Sequence, residues 1–135
     1  MSRIVQRLAE DIKDLAVEIL ALDVAETRSV LNYSRGKLCV LAEPNPGRAL
    51  PGGWVDISEM TGDQVRALLS DFPIEDEWVE LVWPYENEGA RMRYVDVVRY
   101  YDDLWFPSRD NLWITSERRT WLLAIDHEEA VAFLG

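Results

Sequence analysis

The chain has 135 residues, the size of a single domain with one core of its own. Its apolar content of 48%, with six Trp, five Tyr and three Phe, excludes an intrinsically disordered protein. Twenty-five acidic residues against fourteen basic ones give a net charge of −11, a field that repels nucleic-acid phosphates and anionic lipid and favours a basic partner; the plainer alternative is that acidity serves solubility.

Ile4, Leu8, Ile12, Leu15, Ile19 and Leu22 recur every three or four residues, which predicts a helix over 2–21 with a core-facing stripe. Its charges oppose the helix dipole: Arg3 and Arg7 lie near the start, Asp14 and Glu18 near the end. No apolar leader precedes this pattern and no apolar run approaches the ~20 residues of a bilayer span, so the expected location is the cytoplasm. Asp23-Val24-Ala25-Glu26 has the form of a capping box and predicts a second helix to about Ser34, stopped by Gly36. A strand at Ser29–Tyr33, in a hairpin through Ser34-Arg35-Gly36, is the competing reading. Leu38–Ala42 reads as a buried strand, which makes Cys39 an inert core thiol; as the sole cysteine it has no partner for an intramolecular disulfide. The Pro- and Gly-rich stretch 43–53 reads as an irregular surface loop, without the Gly-Lys-Ser/Thr of a phosphate-binding loop. Thr61-Gly62-Asp63-Gln64 is a further capping box, opening a helix over 62–72 that Pro73 ends.

From Trp78 onward the apolar period becomes two. Strands are expected at Trp78–Trp83, Arg91–Tyr101, Leu104–Phe106, Leu112–Thr115, Thr120–Ile125 and Ala130–Leu134, joined by short polar connectors. The fold class expected is α+β, with two or three N-terminal helices packed on a C-terminal antiparallel meander. Alternation sets Val79, Leu81 and Trp83 against Trp78, Glu80 and Val82, and Leu112 and Ile114 against Trp113; Trp121, Leu123 and Ile125 form a core face. Trp78 and Trp113 thus fall on the less apolar side, either as an exposed aromatic patch of the kind that anchors protein contacts or as core beneath the helices.

Catalytic machinery is sparse. His127, the only histidine, lies in Asp126-His127-Glu128-Glu129, where a solvated turn residue is expected, and no Gly-x-Ser-x-Gly accompanies it. One His and one Cys do not furnish a typical zinc site, and no EF-hand spacing occurs; neither metal nor cofactor is expected. Asp96, Asp102, Asp103 and Asp110, with Glu86 and Glu88, form the densest run of carboxylates, and an acid pair among them is the route left open to a hydrolase.

The run Tyr100-Tyr101-Asp102-Asp103-Leu104-Trp105-Phe106-Pro107-Ser108-Arg109-Asp110-Asn111-Leu112-Trp113-Ile114, followed by Trp121-Leu122-Leu123-Ala124-Ile125-Asp126-His127-Glu128, resembles the sheet region of small bacterial immunity proteins that accompany polymorphic or contact-dependent toxins, the SMI1/KNR4-like (SUKH) group among them. The resemblance covers the last third of the chain and rests on a hydrophobic–Pro–Ser–x–Asp–x–hydrophobic strand connection. It implies an acidic, non-enzymatic protein-interaction module that caps a basic toxin, with Asp102, Asp103 and Asp110 as phosphate surrogates beside Trp105 or Trp113. A carboxylate-dependent hydrolase and a structural or regulatory subunit of an oligomer are the alternatives.

Overall fold

The structure, a computed structural model, describes residues 2–135. Five helices and a seven-stranded sheet follow in the order α1 (Arg3–Asp11), β1 (Leu20–Ala21), α2 (Val24–Leu38), β2 (Val55–Asp56), α3 (Gly62–Asp71), β3 (Trp78–Trp83), β4 (Glu88–Arg93), α4 (Tyr94–Arg99), α5 (Tyr101–Leu104), β5 (Leu112–Ser116), β6 (Leu122–Asp126) and β7 (Ala130–Leu134). The class is α+β, and every strand pair is antiparallel in the spatial order β1-β4-β3-β5-β6-β7-β2. Both edges are two-residue strands donated by the N-terminal half. Such short edges offer little unpaired backbone to another chain.

Helices cover both faces of the sheet. On the first, Val79, Leu81, Trp83, Ile114, Leu123 and Ile125 pack with Ile4 and Leu8 of α1, Val65 and Leu69 of α3, Val97 of α4 and Leu104 of α5. On the second, Val82 packs with Val30 and Leu31 of α2, flanked by Leu22 and Trp113. β3 is therefore buried from Val79 to Trp83 although its sequence alternates, because its second face meets a helix rather than water. Trp78 and Trp113 are both half-buried and each lies beside an arginine, Arg93 over Trp78 at 4.4 Å and Arg35 over Trp113 at 5.9 Å.

Both capping boxes form. Asp23 Oδ1 accepts from Glu26 N at 2.7 Å while Glu26 Oε1 accepts from Asp23 N, and Thr61 and Gln64 make the same exchange. The first box settles 23–35 as helix rather than hairpin, and the helix runs through Gly36 to Leu38. Leu38–Ala42 is accordingly a helix end and turn, not a strand, and Cys39 is exposed, its Sγ donating to Gly36 O at 2.9 Å.

Three further expectations are corrected. The first helix ends at Asp11, because Asp14 offers its neighbours a rival set of partners: its side chain accepts from Ala16 N at 3.0 Å and its carbonyl from Val17 N at 3.1 Å. Ile4, Leu8 and Ile12 are buried, but Leu15 is fully exposed. Asp14 and Glu18 thus lie beyond the helix, and their supposed conflict with its dipole does not arise. The strand expected at Arg91–Tyr101 stops at Arg93 and continues as α4. Tyr94, Val97, Val98 and Tyr101 also fit the helical spacing i, i+3, i+4, i+7, and burial of Tyr94, Val97 and Tyr101 against the first face overrides the β-preference of the valines. For the same reason 104–106 is not a strand: Leu104 ends α5 inside the core.

Candidate functional site

The five residues singled out as partner contacts are not brought together. Trp105 (4% exposed) and Asp110 (2%) are buried, so neither offers a contact surface. Asp110 closes the 106–110 turn instead: its Oδ2 accepts from Phe106 N at 3.1 Å while its own N donates to Phe106 O at 3.0 Å. Ser108, at φ 65°, sits at the tip of this turn and donates its backbone N–H to His127 O. The Pro-Ser-x-Asp connection is therefore a structural device that ties the turn to the end of β6. Asp102 is exposed on α5 and pairs with Arg66 at 3.2 Å. Burial, reinforced by Asp102 and Asp11, raises the carboxyl of its neighbour Asp103 above the ordinary aspartate range. Trp113 lies on the opposite face of the sheet from this layer, with the α2 cluster.

What the fold does assemble is a cavity of about 530 Å³ at the C-terminal end of α2. Arg35, Leu38 and Cys39 come from the end of α2, Leu41, Glu43 and Pro44 from the irregular segment after it, and Trp54 from just before β2. The turn after β3 supplies Tyr85, β5 and its approach supply Trp113 and Asn111, and the end of β6 supplies Asp126 and His127. Local hydrogen bonds hold these walls. Trp54 Nε1 donates to Ala42 O at 2.9 Å, which pins the returning loop across the cavity. Asn111 works as a clamp: its Oδ1 accepts from His127 N at 2.8 Å and lies 2.9 Å from His127 Nδ1, while its Nδ2 donates to Tyr85 Oη at 3.4 Å. The Tyr85 and His127 rings are 6.0 Å apart. Far from lying free in a turn, His127 is half-buried between Asn111, Asp126 (3.6 Å) and Glu128 (3.2 Å).

The electrostatics of this wall are acidic. Burial holds the Asp126 carboxyl above the usual aspartate range, opposed by the hydrogen bond from Glu128 N and by the His127 ring, and reinforced by the carboxylates of Glu128 and Glu43. Among the described residues no three His, Cys, Asp or Glu side chains converge as a metal-binding group, and no helix is long and apolar enough to cross a membrane. Comparison with protein-family models, with curated proteins and with solved structures finds no match for the chain.

Of the cavity residues, sequence reading singled out only Trp113 as a contact, and for a different surface. Trp54, Tyr85 and Asn111 carry no local signal of shared function, and Cys39 and His127 were expected in other surroundings. Separations as long as that between Cys39 and His127 are closed only by the sheet register and by the return of the loop through Trp54.

Proposed function

We propose that this chain is a non-enzymatic protein-interaction module that docks on a basic protein, in the manner of an immunity protein neutralising a cationic toxin. The observation that carries this reading is the fate of the arginines. Arg66, Arg91, Arg93, Arg99 and Arg119 are each within salt-bridge distance of the chain's own carboxylates. These pairs leave the net charge of −11 unchanged, and exposed carboxylates such as Glu10, Glu43, Glu59, Asp71 and Glu75 stand outside them. A field of that sign steers cationic partners and raises association from about 10⁵–10⁶ towards about 10⁸ M⁻¹s⁻¹ at low salt. The resemblance of the last third to toxin-immunity proteins points the same way.

The test is titration against the product of the adjacent gene, with that product's toxicity to cells as readout. The expected result is a one-to-one complex, inhibition at equimolar ratio, and an association rate that falls steeply between 0.01 and 0.5 M salt as the screening length contracts from about 30 Å to a few ångströms. Undiminished toxicity, or an association rate indifferent to salt, would overturn the proposal.

One observation favours a second reading, a carboxylate-dependent hydrolase: Asp126 combines a raised pKa with a place beside His127 in a cavity. Its mark would be turnover of a glycoside or ester that Asp126→Asn abolishes while the fold is retained.

A further inference from the structure

We infer that the cavity at the end of α2 receives the guanidinium group of an arginine carried by the basic partner. This rests on the preceding reading and names the chemistry of its contact. Three aromatic residues, Trp54, Tyr85 and Trp113, share the cavity with two carboxylates, Glu43 and Asp126, and Glu128 adjoins it beside His127. Arg35 also lines the cavity, but with Glu128 adjoining, three carboxylates stand against that one guanidinium, and aromatic faces and carboxylates attract the same class of group, a cation with a flat face. A purely apolar occupant would leave Asp126 and Glu43 further desolvated with no opposite charge gained. The half-buried Asp126 already has two acidic neighbours, Glu128 and Glu43, so an entering cation offsets an existing repulsion by attracting all three.

Arginine suits this cavity better than lysine. Its guanidinium stacks on an indole or phenol ring while its N–H fork meets a carboxylate edge-on, and it is less strongly hydrated than an ammonium group. The chain shows the same preference elsewhere, with Arg93 over Trp78 and Arg66 over Tyr101, and inside the cavity Arg35 already lies over Trp113 at 5.9 Å, so Trp54 and Tyr85 are the rings left for an incoming guanidinium. The volume, about 530 Å³, is that of an ordinary ligand cavity and admits a whole arginine side chain with adjoining backbone. The negative field of the chain delivers a basic segment to the entrance, and the cavity then selects one side chain from it.

The experiment follows the indole Nε1–H resonances of Trp54 and Trp113 in the ¹⁵N-labelled full chain during titration with Nα-acetyl-arginine methylamide. The matched control is the citrulline derivative, which has the same shape without the charge. Saturable shifts of both indoles are expected, with an affinity of order 1 mM for a lone side chain and binding at least about tenfold weaker for citrulline. Glu43→Gln, Asp126→Asn and Tyr85→Leu are each expected to weaken arginine binding about threefold to fivefold. Tyr85 is 64% exposed and Glu43 is exposed, so these variants keep the fold, which their remaining amide resonances would verify. Equal binding of arginine and citrulline, or shifts that bypass Trp54 and Trp113, would overturn the inference.

A second arm separates this inference from the reading beneath it. If the basic partner binds Tyr85→Leu and Glu43→Gln as tightly as the wild type, the cavity is not the contact, and the broader proposal stands without it. If arginine methylamide binds but the chain associates with no basic protein, the broader proposal falls, and a protein-borne source for the arginine falls with it.

Discussion

Arg91 Nη2 lies 2.9 Å from Oε2 of Glu80, a carboxylate that is only 3% exposed in the middle of the sheet. Arg119 contacts the other carboxylate oxygen, and Glu26 and Glu117 hold Arg91 from the rim at 3.3 Å each. The cluster sits on the sheet face that α2 covers, where an uncompensated charge is costly to hold away from water. Removing the central acid strips Arg119 of its carboxylate partner and leaves Arg91 held only by the rim acids Glu26 and Glu117. Glu80→Ala is therefore expected to cost about 3 kcal/mol or more, read as a lowered urea midpoint with an unchanged slope. A loss below about 1 kcal/mol would mean that water already reaches both arginines.

Arg119 reaches Glu80 from a left-handed backbone, at φ 56°. For a residue with a Cβ that conformation costs about 1 kcal/mol, and the ion pair is what offsets it here. Arg119→Ala and Arg119→Gly both delete the pair, but only alanine retains the backbone cost. Glycine is expected to be the more stable of the two variants by about 1 kcal/mol, although alanine is the closer match in side chain. Thermal unfolding of the two proteins side by side decides it; equal midpoints would mean the turn relaxes once the guanidinium is gone.

Gly36 shows how a local signal gives way to a longer one. It reads as a stop, yet it sits inside α2 with ordinary helical geometry, and a Cβ built on it meets nothing within 4 Å. The glycine thus costs helix stability and serves no close approach. Gly36→Ala is expected to stabilise the protein by about 0.5–1 kcal/mol, measured by urea denaturation. A destabilisation would show that the end of α2 depends on the freedom of this residue.

Legibility in the sequence followed the range of the interactions involved. The capping boxes at Asp23 and Thr61 and the strands from Trp78, Leu112 and Ala130 were readable because their determinants lie within a few neighbouring residues. The helix at Tyr94–Arg99 was not, because its valines favour a strand and only burial of Tyr94 and Val97 against the sheet tips the balance. The end of the first helix at Asp11 is not legible because the apolar stripe runs on past the turn that Asp14 makes. At the cavity the difficulty is greater. Tyr85 and Trp54 line one cavity, the former bonded to Asn111 and the latter to the Ala42 carbonyl, and neither bond has a signature in the chain.

Asp126 gives stability and binding opposite responses to pH. Burial raises its folded pKa above the ordinary value of 3.8, so the folded chain holds the proton more tightly than the unfolded one. Its contribution to stability is therefore most favourable below 3.8 and is lost as the pH rises through the folded value. Asp126→Asn has no proton to lose. The variant is expected to be the more stable protein above that window, and the difference should close as the pH falls below 3.8. Arginine binding has the reverse sign, because the cation needs the ionised carboxylate: wild-type affinity should weaken as the pH falls through the folded value, while Asp126→Asn shows no such step. Glu43 and Glu128 flank Asp126, and Arg35, Cys39 and His127 face the same cavity, so the measurement belongs on a His127→Gln background, with Glu43→Gln as a further control. Asp14, Asp56, Glu88 and Asp103 also carry shifted carboxyls, so denaturation and arginine titration across pH 3–8 are read as differences between the aspartate protein and its Asp126→Asn derivative. The two difference curves are expected to have opposite slopes; parallel slopes would remove Asp126 from the site.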